Sequence, residues 1–198
     1  DLLSAFRQDT TKTRYETFEQ LLHYCRRSAN PVGRLVLRIA GYEDTRVDVA
    51  SDFVCTALQL VNFWQDLGRD WERGRLYVPL DEIRAAGARE EDLDRRCLTS
   101  QWRSVLSALA ERTKEMFLRG REVADLVGGR LRLELRLTWL GGWRVLERLE
   151  GRRFDVFGQR PELGATDVPL ILWRAATWRL GRPRRPALEV RSPKSRVP

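Results

Sequence analysis

Histidine is almost absent from this chain: His23 is the only one among 198 residues. A Ser-His-Asp triad would have to be built on it, and no serine accompanies it in a strand-to-helix nucleophile turn. His23 is therefore expected to be structural or at the surface. Cysteine is scarce as well. Cys25, Cys55 and Cys97 are far apart and odd in number, which argues against a disulfide framework or a zinc ribbon and fits a reducing cytoplasm. No run of about 18 uninterrupted apolar residues occurs, and the opening DLLSAFRQDTTK lacks a basic stretch followed by an apolar block. Neither a membrane span nor a secretion signal is expected. The two-residue alternation of strands is missing too. Without strands nothing can carry a glycine-rich phosphate loop, so nucleotide-binding folds are excluded.

What is present suits one globular domain: 42% hydrophobic and 32% charged residues. Apolar residues recur at helical spacing in five blocks, roughly 16–40, 47–73, 100–126, 129–151 and 166–180. The expected fold is all-α, with a helical domain over 1–180. Gly41, the segment GRLYVPLDE, the Gly128–Gly129 pair and the stretch 151–164 separate the blocks. The net charge of +8 sits almost entirely at the end, where residues 174–198 hold eight basic side chains against Glu189 alone. A proline-interrupted basic tail over 181–198 is expected to be disordered and able to approach anionic headgroups at the inner face of a membrane. A solvated terminus without a partner is the plainer alternative. Nucleic acid is set aside as a partner, because Trp64, Trp139, Trp143 and Trp173 fall at apolar helical positions and the body has no basic stripe.

The second block, VDVASDFVCTALQLVNFWQDLGRDW, is apolar around most of its circumference, the pattern of a helix buried among others. Yet Gln59, Asn62, Asp66, Asp70 and Arg73 share an arc of about 80° at 100° per residue. Short amides and carboxylates in such a file suit metal ligation. Asp66 and Asp70, four apart, bring their carboxylates within about 6 Å, a repulsive arrangement unless a cation sits between them. Magnesium takes a few carboxylate oxygens together with waters and phosphate oxygens, so the pair could bridge protein to diphosphate. Arg69, Arg73 and Arg75 follow closely enough to clamp a diphosphate. The alternative is a solvated or salt-bridged pair, the usual fate of D-x-x-x-D on a helix.

The first block, ETFEQLLHYCRRSANPVGRLVLRIAG, places Ser28, Ala29, Pro31 and Gly33 in the middle of a strongly periodic helix. These residues cost helix stability, so a kink or a close approach by another body is expected. Tyr24, Ser28 and Leu35 share a face and would line any space so opened. Close helix packing without a ligand explains the same residues equally well.

LQLVNFWQDLGRDWERGRLYVPLDEI resembles the second aspartate-rich motif of the squalene/phytoene synthase family, and YCRRSANPVGRLVL resembles that family's YC-x-x-x-A-x-x-VG helix. The wording Ser-Ala-Asn-Pro, with RLRLELRLTWLGGWRVLERLE and FDVFGQRPELG downstream, is similar to the bacterial hydroxysqualene synthase branch. The resemblance runs from Leu2 to about Trp178 and implies an isoprenoid-synthase fold with helices around a central apolar cavity. It implies that Asn62, Asp66 and Asp70 bind magnesium and through it diphosphate, with Gln59 beside them. Tyr24 would handle a cation or proton near the reacting carbons, with Ser28 on its face, and Arg73, Arg75 and Tyr77 would lie near the diphosphate. The implied reaction converts presqualene diphosphate and water to hydroxysqualene and diphosphate, on the way to hopanoids, with magnesium and without NADPH.

Two departures qualify this. The family carries a first aspartate-rich motif on an earlier helix, and no such segment precedes Asp1. The chain is therefore expected to be a fragment lacking its N-terminal helices, with little turnover by itself. Gln65 stands where many squalene and phytoene synthases have an arginine, which removes one positive charge and fits the hydroxysqualene branch. Presqualene diphosphate, squalene or phytoene synthesis is the alternative within the family, and a non-catalytic helical module at a membrane surface is the alternative outside it.

Overall fold

The computed structural model describes residues 1–178; the basic tail, with the disorder and membrane contact expected of it, lies outside them. The chain is all-α, and among the described residues the only strand-like pairing is a single bridge between Arg14 and Leu76. In order, the elements are α1 (Leu2–Asp9), α2 (Phe18–Ser28), α3 (Asn30–Ile39), α4 (Thr45–Gln65), α5 (Leu67–Glu72) and α6 (Leu80–Ala86). They continue with α7 (Glu91–Asp94), α8 (Ser100–Gly120), α9 (Val123–Leu126), α10 (Gly129–Gly151) and α11 (Asp167–Ala176).

The long helices start where the sequence supplies side-chain caps. Thr17 accepts from the Gln20 amide, Asp44 from those of Arg46 and Val47, and Thr99 from that of Trp102. Each satisfies donors that the first turn leaves open. Helix α4 is the centre of the molecule. Ala50, Val54, Ala57, Leu60, Val61 and Trp64 are all buried on it, and it packs against α2, α3, α8 and α10. Its backbone is closely approached by α8, where a Cβ on Gly120 would lie 2.7 Å from the Ala50 carbonyl oxygen. Several interior polar groups pair between helices: Trp64 Nε1 donates to Thr113 Oγ1 at 3.0 Å, Thr56 Oγ1 to Asn30 Oδ1 at 3.0 Å, and Trp139 Nε1 to the Phe117 carbonyl at 2.7 Å. These bonds peg α4 to α8 and α3, and α10 to α8.

Two of the expected blocks are each divided, the first where a kink was expected. The first block breaks at Ala29 (φ −113°, ψ −47°), and Pro31 falls in the first turn of α3, where its missing N–H costs nothing. The expected close approach is also present: a Cβ on Gly33 would stand 2.4 Å from Cys55 Sγ and 2.6 Å from Ser51 Oγ. Small residues thus serve the α3–α4 contact. Because the break resets the helical phase, Leu35 does not share the face of Tyr24; it is 57% exposed while Tyr24 is buried.

The second block breaks at Asp66 (φ −98°, ψ 7°), which ends α4 and precedes α5. The amides of Asp66 and Asp70 still donate to Asn62 and Asp66 carbonyls, both at 2.8 Å, so the three residues remain one turn apart across the bend. Of the tryptophans placed at apolar positions, Trp64 and Trp139 are buried, whereas Trp173 is exposed on α11. His23 is at the surface as expected. The three cysteines are free, and burial pushes the Cys25 thiol up to about 12, which keeps it protonated and inert.

Candidate functional site

The site residues gather where α4 gives way to α5. Asp66 caps α4 and Asp70 lies in α5, both partly buried. Burial and the charge of Asp66 push the Asp70 carboxyl up from 3.8 to about 6, against the opposing pull of Arg73 and Arg75. The neighbouring negative charge raises the cost of ionising Asp70, and a cation would relieve it. Among the described residues, no three His, Cys, Asp or Glu side chains converge as a metal cage. Two carboxylates do fit magnesium, which keeps waters and phosphate oxygens for most of its six positions.

Asp66 is covered by a residue that the sequence did not suggest. Arg160 forms a two-pronged pair with it, Nε to Oδ1 at 2.6 Å and Nη2 to Oδ2 at 2.9 Å, while Arg69 stands 3.8 Å away. Arg160 belongs to the loop between α10 and α11, which leaves α10 through two left-handed residues, Arg153 and Phe154. The buried amide of Gln65 donates to the Pro161 carbonyl and ties that loop to the end of α4. The cation that Gln65 fails to provide is thus supplied by a loop that Gln65 itself anchors. The signal available beforehand was an arginine between Gly158 and Pro161, and nothing in its spacing linked it to Asp66.

Below the carboxylates lies a set of aromatic rings. The segment 73–79 runs beside residues 13–16, with the Leu76 amide donating to the Thr13 carbonyl at 2.9 Å and that of Leu80 to the Tyr15 carbonyl at 3.0 Å. Tyr77 therefore stacks on Phe63 at 3.9 Å between centroids and on Tyr15 at 5.7 Å. Tyr24 stands 6.2 Å from Tyr77 and 6.1 Å from Phe63. Burial raises the hydroxyls of Tyr15, Tyr24 and Tyr77, and for Tyr77 the negative charges of Asp9 and Asp70 raise it further. All three remain neutral phenols.

The other expected residues take different places. Ser28 Oγ donates to the Tyr24 carbonyl at 3.0 Å, a bond within its own helix. Arg75 reaches the Asp9 carbonyl at 3.3 Å, and Arg73 is exposed at the end of α5. Asn62 is exposed; with Leu58, Val61 and Gln65 it faces Leu137, Gly141, Val145 and Leu163 across a groove of about 550 Å³ between α4 and α10. Gln59 is half-buried on α4.

A family model, Squalene/phytoene synthase, matches residues 1–167. The chain belongs to the squalene/phytoene synthase family. Family members similar to it include the hydroxysqualene synthase of Rhodopseudomonas palustris, 41% identical over 165 residues that make up 82% of this chain and 56% of that protein. The hydroxysqualene synthase of Sinorhizobium fredii is 40% identical over 172 residues, 86% of this chain and 58% of that protein. Among solved structures, squalene synthase HpnC from Alicyclobacillus acidocaldarius superposes with a TM-score of 0.75 at 40% identity, covering 78% of this chain and 59% of that one. A dehydrosqualene synthase solved with a ligand superposes at 0.84 with 20% identity, a likeness of fold. The chain spans about half the length of the curated relatives it matches. Its architecture is the isoprenoid-synthase helical fold of these squalene/phytoene synthases.

Proposed function

We propose that the protein, in its full-length form, is a magnesium-dependent isoprenoid diphosphate enzyme that converts presqualene diphosphate and water to hydroxysqualene and diphosphate without NADPH. The observation that carries this reading is the junction of α4 and α5, where Asp66 and Asp70 stand one turn apart, ringed by Arg69, Arg73, Arg75 and Arg160 and adjoining stacked aromatics. Its 40–41% identity to hydroxysqualene synthases favours that branch over phytoene or presqualene diphosphate synthesis.

Asp66 and Asp70, with Asn62 a turn before, would hold the metal. Bound magnesium neutralises a leaving diphosphate and so eases its departure. Arg73, Arg75 and Arg160 present fork-shaped donors matched to phosphate oxygens. The faces of Tyr24, Phe63 and Tyr77 offer negative quadrupoles to a carbocation, and the apolar wall excludes stray water.

The test is a magnesium titration of the full-length protein with presqualene diphosphate and chromatographic identification of products. Asp66→Asn and Asp70→Asn are each expected to lower kcat/KM by about 100-fold or more, the scale for removing a charge-stabilising group, and to abolish the magnesium-dependent rise in Tm. A C40 product such as phytoene rejects the branch assignment. Undiminished turnover in both variants rejects Asp66 and Asp70 as the metal site, and no turnover in the wild type favours a non-catalytic helical module.

A further inference from the structure

The hydroxyl of Tyr24 is already committed. It donates to Asp9 Oδ2 at 3.0 Å, and Asp9 is the last residue of α1. The second carboxylate oxygen, Asp9 Oδ1, is buried and has no hydrogen-bond partner. Leaving a buried acceptor unmet is costly, and such an atom in a folded protein calls for an explanation. The position is also braced: Arg75 donates to the Asp9 carbonyl at 3.3 Å, which ties the end of α1 to the arginines at the α5 end. Tyr15, whose own hydroxyl accepts from Gln8 at 3.0 Å, packs 5.6 Å from Tyr24. A phenol carries one hydrogen. With that hydrogen on Asp9, the lone pairs of Tyr24 Oη are the part available to a reacting group, which meets an acceptor rather than a donor.

We propose that Asp9 is a positioning residue that acts through Tyr24 and receives the proton released when water captures the carbocation. The inference rests on the hydroxysqualene-forming reading of the site. In that step the carbon–oxygen bond to diphosphate breaks and its electron pair leaves with the diphosphate oxygen. After rearrangement of the carbocation, a lone pair on water forms the new carbon–oxygen bond. The resulting oxonium gives one proton to Tyr24 Oη as Tyr24 passes its own to an oxygen of Asp9. One water hydrogen stays on the alcohol, one proton ends on the Asp9 carboxyl, and the phenol is regenerated. That proton leaves to solvent or to the departing diphosphate before the next turnover. The relay never requires a charged tyrosine to persist, consistent with the buried setting of its ring.

Asp9→Asn keeps the size of the side chain and an oxygen for the Tyr24 hydrogen, but it cannot take up a proton. The experiment compares full-length wild type, Asp9→Asn, Asp9→Glu, Tyr24→Phe and the Asp9→Asn/Tyr24→Phe double variant with magnesium and presqualene diphosphate, recording diphosphate and hydroxysqualene separately. Asp9→Asn is expected to lower kcat for the alcohol by about 100-fold, as for loss of a proton acceptor, with KM within about twofold. Diphosphate released per alcohol formed should rise above the wild-type ratio, because ionised substrate is diverted to hydrocarbons that lose a carbon-bound proton. Asp9→Glu should restore part of the lost rate, and the double variant should be no slower than the slower single one, as for groups acting in one chain. Unchanged alcohol formation in Asp9→Asn, or losses that multiply in the double variant, overturns the relay while leaving the reaction assignment intact. A wild type that makes no hydroxysqualene overturns the assignment and the relay with it. If Asp9→Asn does not fold, Tyr24→Phe must show the raised diphosphate-to-alcohol ratio, and a wild-type ratio there rejects the proposal.

Discussion

Arg160 reaches Asp66 from 94 residues farther along the chain, and the contact depends on one amide. Gln65 is buried and donates to the Pro161 carbonyl, so replacing it with leucine leaves that carbonyl unmatched in the interior. Gln65→Leu is expected to cost about 1–3 kcal/mol of stability, read from urea unfolding, and to raise KM for the diphosphate substrate as Arg160 loses its station. Asp66 and Asp70 were legible in the sequence because one helix turn is a local spacing. Arg160 and Asp9 were not, since each meets its partner through the tertiary fold and neither has a periodic signature. A second acid supports the same region from behind. Asp167 accepts from the Gly164 amide at 2.8 Å, from Arg144 at 2.8 Å and from Arg148 at 2.6 Å, which lowers its carboxyl from 3.8 to about 2. The folded state binds this proton less tightly than the unfolded chain. Its stabilisation is therefore whole above the unfolded value and is lost as pH falls through about 2. Acid unfolding followed by circular dichroism should show Asp167→Asn losing the part of the pH dependence that lies between those two values.

Among the helices, the closest contacts are made by glycines. At Gly33 an added methyl would meet the movable ends of Cys55 and Ser51, but at Gly120 it would meet the carbonyl oxygen of Ala50 and the amide nitrogen of Val54. Backbone cannot step aside as a side chain can. Gly33→Ala is expected to cost about 1–3 kcal/mol by overpacking, and Gly120→Ala to cost more, measured together by chemical denaturation. The five long apolar blocks were visible from periodicity because each runs for several turns. Helices α1, α6 and α7 span eight, seven and four residues, too short for a period to stand out. The break at Ala29 was legible as a kink, because Ser28, Ala29, Pro31 and Gly33 all weaken a helix there, whereas the break at Asp66 was hidden: its amide still donates to the Asn62 carbonyl as in a helix, and no proline marks the bend.

At the scale of the whole molecule, α1 and α3 both carry exposed apolar side chains. Leu3 is 82% exposed and Ile39 79%, with Phe6, Val32, Leu35 and Val36 also uncovered. Apolar display of this extent attracts hydrophobic partners. The 198-residue chain by itself is expected to enhance the fluorescence of a hydrophobic dye, and Leu35→Ser with Ile39→Ser should reduce that signal without lowering helix content. Among the described residues no helix is long and apolar enough to cross a bilayer. The bend at Asp66 has one more effect at this scale. The two acids are mounted on separate rods: α4, locked by neighbours on several sides, and α5, a stub of six residues. Leu67 and Gly68 are buried, so the stub is seated in the body, and the spacing of the two acids is fixed by a corner in the backbone instead of by the pitch of one straight helix.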